Sequence, residues 1–111
     1  MGDFNGKIEL RANTSMTYSF KFPTATSATA NDGWLPYGRT IIDVDVYGYS
    51  EDGSNVTSAL IVGTPSISTD TITVKLRYPG EVGRYEIEFH LTLDNGDTDE
   101  AEFTNIFAVD N

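Results

Sequence analysis

The stretch Gly83-Arg84-Tyr85-Glu86-Ile87-Glu88-Phe89-His90-Leu91-Thr92-Leu93, then Asp94-Asn95-Gly96-Asp97, then a second alternating run to Val109, decides the fold. Tyr85, Ile87, Phe89, Leu91 and Leu93 fall on one side of a period of two, and Glu86, Glu88, His90 and Thr92 on the other. Strict alternation over this length predicts a strand with one buried and one wet face, because successive side chains of a strand point to opposite sides. Asn95-Gly96 between two such runs is a strong hairpin signal, since glycine supplies the positive φ that a tight turn demands. The predicted wet face, Glu86, Glu88, Asp97, Asp99, Glu100 and Glu102, holds most of the net charge of the chain.

Working outward, Thr71 to Tyr78 alternates in the same way, with Ile72, Val74, Leu76 and Tyr78 inward. Thr40 to Tyr49 predicts a strand with Ile42, Val44 and Val46 inward and Asp43, Asp45 and Tyr47 outward. Val56 to Val62 reads as a shorter strand closed by Gly63-Thr64-Pro65. Met16, Tyr18, Phe20 and Phe22 alternate with polar residues up to Pro23, and Ile8 and Leu10 suit a short edge strand. Residues 1–15 are therefore expected to form an extended N-terminal arm or edge strand, and residues 16–111 the domain proper. Thr24 to Gly38 is irregular, with a run of small residues, a turn at Asn31-Asp32-Gly33 and an aromatic segment Trp34-Leu35-Pro36-Tyr37. No window carries a helical period. About seven antiparallel strands with turn signals every 8–12 residues is the pattern of an all-β, immunoglobulin-like sandwich. A Tyr two residues after Gly83 at a strand start is similar to the tyrosine corner of such folds.

The 111 residues suit one domain with a core large enough to stand alone. The chain has no Cys, which excludes disulfides and thiolate metal sites and suits synthesis in a reducing cytoplasm. The start Met1-Gly2-Asp3 lacks the basic and apolar regions of a secretory signal, and Gly6 stands where a myristoylation motif wants Ser or Thr. No apolar run approaches the ~20 residues of a membrane span. The net charge of −10 is uneven: residues 1–39 sum to +1, residues 40–78 to −3 and residues 79–111 to −8. Phosphate backbones repel such a surface, which argues against nucleic acid as partner, whereas a basic protein surface is attracted.

Candidate chemistry is sparse. His90, the single histidine, has no Ser or acid placed by sequence to build a nucleophilic triad, so it reads as a surface histidine among carboxylates. Asp94 to Glu100 is oxygen-rich, but Gly96 comes too early for an EF-hand loop and Asn105 stands where its final Glu belongs. A hairpin turn is the expectation, with a calcium site between loops left open. Glu86/Glu88 and Asp43/Asp45 are acids side by side on strands, unlike the facing pair of a glycosidase, and suit a solvated or docking face. Trp34, Leu35 and Tyr37 form a candidate contact patch, since aromatics are enriched at binding hot spots; Trp34 as a lid on the core is the competing role. Arg84, the one base beyond Tyr78, is expected to relieve repulsion at Glu86 or Glu81. No phosphate-binding loop or nucleophile elbow occurs, so neither catalysis nor a cofactor nor a metal is expected.

Thr71-Ile72-Thr73-Val74-Lys75-Leu76, Gly83-Arg84-Tyr85-Glu86-Ile87 and Asn95-Gly96 carry a resemblance, over residues 40–109, to small single-domain Ig-like virion proteins of tailed bacteriophages. Ig-like domains of bacterial adhesins are similar too. The resemblance implies a non-enzymatic structural protein, foremost a capsid cement or decoration protein. It would be made in the host cytoplasm, sit on the capsid exterior, bind the major capsid protein or another virion protein, and self-associate as a dimer or trimer. A tail or fibre module that recognises host glycan through Trp34, Tyr37 and Tyr47 is the alternative. The phage proteins often carry Arg after the turn where this chain has Asp97, Asp99, Glu100 and Glu102, so no binding residues transfer. The candidate partner surface is instead read from the chain itself: Trp34, Leu35, Tyr37, Asp43, Asp45, Tyr47, Glu86 and Glu88.

Overall fold

A computed structural model of the chain describes residues 6–30 and 32–110. The elements are β1 (Ile8–Arg11), β2 (Ser15–Lys21), β3 (Ile41–Ser50), α1 (Thr57–Leu60), β4 (Ile61–Ser68), β5 (Thr71–Arg77), β6 (Gly83–Leu93) and β7 (Thr98–Val109). They form a β-sandwich of two sheets, one four-stranded in the order β1-β7-β6-β3 and one three-stranded in the order β2-β5-β4. Among the described residues no helix is long and apolar enough to cross a membrane. Residues 1–5 of the expected arm, and Asn31 of the expected turn, lie outside the described residues.

The alternation of β6 is realised along its length, with Tyr85, Ile87, Phe89, Leu91 and Leu93 all buried. They face Ile72, Val74 and Leu76 of β5 and meet Ala101, Phe103, Ile106 and Ala108 of β7 in one core. Phe89 sits at its centre, with ring centroids 5.1 Å from Phe20 and 5.4 Å from Phe22. Tilted and edge-on aromatic pairs of this kind add about 0.5–1.5 kcal/mol beyond their buried area. Among the described residues the buried side chains are all hydrophobic, Tyr85 included.

The Tyr85 hydroxyl donates a hydrogen bond to the Glu81 carbonyl at 2.9 Å, which closes the corner between β5 and β6. Burial, followed by the nearby Glu81 carboxylate, pushes the Tyr85 pKa up, so the phenol stays protonated as a donor.

Three expectations are corrected. The strands are not uniformly antiparallel: β1 pairs with β7 in parallel, Ile8 opposite Ile106 and Arg11 opposite Val109. The remainder of the chain between them serves as the crossover that a parallel pair requires. Asn13, at φ 65°, turns the chain from the edge of one sheet into β2 of the other, a conformation that Asn tolerates better than most residues. Ile42 does not face inward. The register slips between Ile41 and Asp43, so Ile41 is 4% exposed and Ile42 is 59% exposed. A bulge inserts one unpaired residue and reverses the phase before it. Finally, Val56 to Val62 is not one strand. Residues Thr57–Leu60 make a helical turn that buries Leu60, and β4 runs on through Gly63-Thr64-Pro65. The irregularity between Val62 and Ser66, in a strand paired only with β5, accommodates a proline that cannot donate.

Candidate docking face

The register of three strands builds one surface. Asp43 lies opposite Thr92, which lies opposite Thr98; Asp45 lies opposite His90, which lies opposite Glu100. Tyr47 lies opposite Glu88, which lies opposite Glu102, and Tyr49 lies opposite Glu86. The outer face of the four-stranded sheet thus carries six carboxylates, from Asp43, Asp45, Glu86, Glu88, Glu100 and Glu102, around two tyrosines and a histidine. Adjacent strands do bring Asp43, Asp45, Glu86 and Glu88 onto one face, yet the stagger sets the aspartates beside Thr92 and His90 rather than beside the glutamates. Among the described residues no Lys or Arg forms an ion pair with any of the six; Arg39 pairs with Asp94, and Lys7 and Arg11 with Glu9.

Among the described residues, His90 is the basic side chain within 4.0 Å of these carboxylates. Its Nε2 is 2.6 Å from Glu88 Oε1 and its Nδ1 is 4.0 Å from Glu100 Oε2. The Tyr47 ring packs edge-on against the imidazole with centroids 5.1 Å apart, which fixes the ring plane. Glu88, His90 and Glu100 each offer a ligand atom, and the three atoms lie within 4.8 Å of one another. This grouping was missed from sequence because Glu100 arrives from the next strand through the hairpin register.

Glu86 has its pKa raised, first by desolvation, then by Glu102 and Glu88, with Arg84 opposing. Tyr49 is likewise pushed up, by desolvation first and then by Glu88. Both shifts have desolvation as their first cause and the crowding of negative charge as their second. Arg84 only partly answers the expectation of a local counter-charge. It lowers the Glu86 pKa, but its Nε donates to the Thr104 carbonyl at 3.1 Å and its guanidinium lies over the Phe107 ring.

The hairpin turn between β6 and β7 decides which β7 residues share this face. The Gly96 amide donates to the Leu93 carbonyl and the Leu93 amide to the Asp97 carbonyl, with Gly96 at φ 91°. That is a three-residue loop with its glycine in the left-handed region. Glu100 and Glu102 therefore face outward. Asp97 stays in the turn, and Asp99 lies opposite the inward Leu91, so these two leave the expected wet face. The acids of the turn also diverge: Asp94 pairs with Arg39 at 3.4 Å, Asn95 bonds Asp97, and Asp99 accepts the Glu100 amide.

The expected aromatic patch is split. Leu35 is 1% exposed and belongs to the core, which removes it as a contact residue. The segment folds back because the Trp34 and Leu35 amides both donate to the Pro23 carbonyl, and the Ala25 amide donates to the Leu35 carbonyl. Gly33 is obligatory there, since a Cβ at that position would stand 2.1 Å from the Ala25 amide nitrogen. The Thr26 hydroxyl and amide hold Asp32 and keep its pKa low. Trp34 is half-buried, edge-on to Phe22 at 5.2 Å, so it caps the core and still lines a cleft of about 510 Å³ with Pro36, Leu93, Asp97 and Asp99. Tyr37 is exposed, while Tyr47 lies on the sheet face beside His90, apart from both.

Comparison with protein-family models and with curated proteins finds no match to this chain.

Proposed function

We propose that the chain is a non-enzymatic, immunoglobulin-like structural domain of a tailed-phage virion. In this reading it is a cement or decoration protein whose acidic sheet face docks on the capsid exterior, after synthesis in the host cytoplasm. The observation that carries the docking is the set of six face carboxylates without a Lys or Arg ion pair among the described residues. A surface of this kind attracts a basic protein partner such as a capsid subunit and gains charge neutralisation when covered. Support for the Ig-like topology comes from the strand order, from the pairing of first with last strand, and from the Tyr85 to Glu81 hydrogen bond at the corner. Assembly as a dimer or trimer would add avidity over the repeated sites of a shell.

The test is co-sedimentation with shells of the particle stripped of this protein. The double reversal Glu86→Lys and Glu88→Lys should leave the melting curve cooperative and weaken binding at least about tenfold, and added salt should weaken the unmodified protein as well. Unchanged binding by the reversed variant sinks the docking reading. The Trp34 cleft, an aromatic wall beside Asp97 and Asp99, favours a second reading as a glycan-binding tail or fibre module. A glycan array on which the chain gives a signal lost in Trp34→Ala, with no affinity for shells, would select that reading.

A further inference from the structure

We propose that Glu88, His90 and Glu100 form a binding site for a divalent transition-metal ion of the zinc class. The inference is independent of the docking reading, because it concerns the isolated chain. Three observations meet at this point. The three side chains project from adjacent positions of two paired strands, and their ligand atoms lie within 4.8 Å of one another. The imidazole is held against the Tyr47 ring, so the nitrogen ligand is oriented before any ion arrives. Asp45 stands opposite His90 in the register of the other neighbouring strand, and no Lys or Arg among the described residues is paired with the group.

The donor set selects the metal. One imidazole with carboxylates suits zinc and its neighbours in the transition series, whereas calcium and magnesium prefer all-oxygen sites. Bonds of ~2.0–2.2 Å to zinc bring neighbouring ligand atoms to within ~3.5 Å of one another. Closing from the spacing seen here falls to Glu100, whose side chain is 69% exposed and free to change rotamer on a fixed strand. The ion sits at the Nε2 atom beside Glu88, and Glu100 swings from the Nδ1 side to reach it, which leaves Nδ1 to solvent. Water completes the shell on the open side of the face.

Titration calorimetry and thermal melting of the full chain, without an affinity tag, test the site at neutral pH with Zn²⁺, and with Ca²⁺ and Mg²⁺ as comparators. The expected result is saturation at one Zn²⁺ per chain, a melting temperature raised by zinc and not by calcium or magnesium, and displacement of the His90 imidazole resonances in NMR. His90→Gln and Glu100→Gln should each weaken zinc at least about tenfold. Glu86→Gln, on the same face and outside the site, should change it less than about twofold. The proposal is overturned by absence of zinc binding, by calcium acting as strongly as zinc, by full affinity in His90→Gln, or by equal losses in Glu100→Gln and Glu86→Gln. The last result would mean diffuse attraction to an acidic surface. All three substituted residues lie on the solvent side of the sheet, so the variants are expected to fold.

Discussion

Glu86 concentrates the cost of the acidic face in one residue. Partly covered by its neighbours, with Glu102 beside it and Glu88 two residues away, it holds its proton to higher pH in the folded chain than in the unfolded one. A raised carboxyl pKa means that the folded state binds more protons over the interval between the two pKa values. Stability from this group therefore rises as pH falls through the folded pKa toward the ordinary carboxylate range, and the penalty is complete above it. Glu86→Gln should stabilise the domain by about 0.5 kcal/mol at pH 7, the size of a cross-strand like-charge term. The gain should disappear by pH 4. Urea denaturation at the two pH values measures it, and an equal gain at both would assign the effect to something other than charge. Residue identity also explains why the aromatic loop divides as it does. Leu35 has no polar atom to keep it at the surface, whereas Trp34 packs one edge on Phe22 and leaves the rest over the cleft.

At the scale of elements, the slips in register decide what the molecule displays. The bulge at the start of β3 puts Ile41 in the core and Ile42 in water. Ile41→Ala should cost about 3 kcal/mol, the range for a buried aliphatic truncation, and Ile42→Ala less than about 0.5 kcal/mol. Chemical denaturation of the two variants checks the contrast, and equal losses would contradict the bulge. Alternation made β5 and β6 readable because a period of two shows itself without knowledge of the partner strand. The bulge in β3 left no such trace: Ile41-Ile42 offers two equally apolar candidates for one inward position, and only pairing with Leu93 and Thr92 decides between them. The same limit governed the candidate site. Glu86, Glu88, Asp43 and Asp45 were readable as outward acids of single strands. Which β7 acids join them depends on whether the hairpin loop holds two residues or three, and a change of one reverses every side chain of the strand. Gly96 in the left-handed conformation settles it in favour of Glu100 and Glu102. The helical turn at Thr57–Leu60 is too short to show a period at all.

Over the whole molecule, charge and topology are both asymmetric. The acidic group occupies the β3, β6 and β7 side of one sheet, while Lys7, Arg84 and Arg11 gather toward the β1 edge, where Lys7 and Arg84 lie over Phe107. In an elongated body of 47 × 23 × 23 Å, this leaves each copy with a preferred side to present to a charged surface. The parallel pairing of β1 with β7 has a further, mechanical consequence. The first strand enters at Ile8 beside Ile106, and the last strand leaves at Val109 beside Arg11. Tension applied through the two ends of the domain pulls these neighbours along their length in opposite directions. The load is borne in shear by the whole four-pair register at once, instead of opening it one bond at a time as an antiparallel pair pulled from one end would open. Drawing the domain out by its ends therefore means breaking the β1–β7 register as a unit.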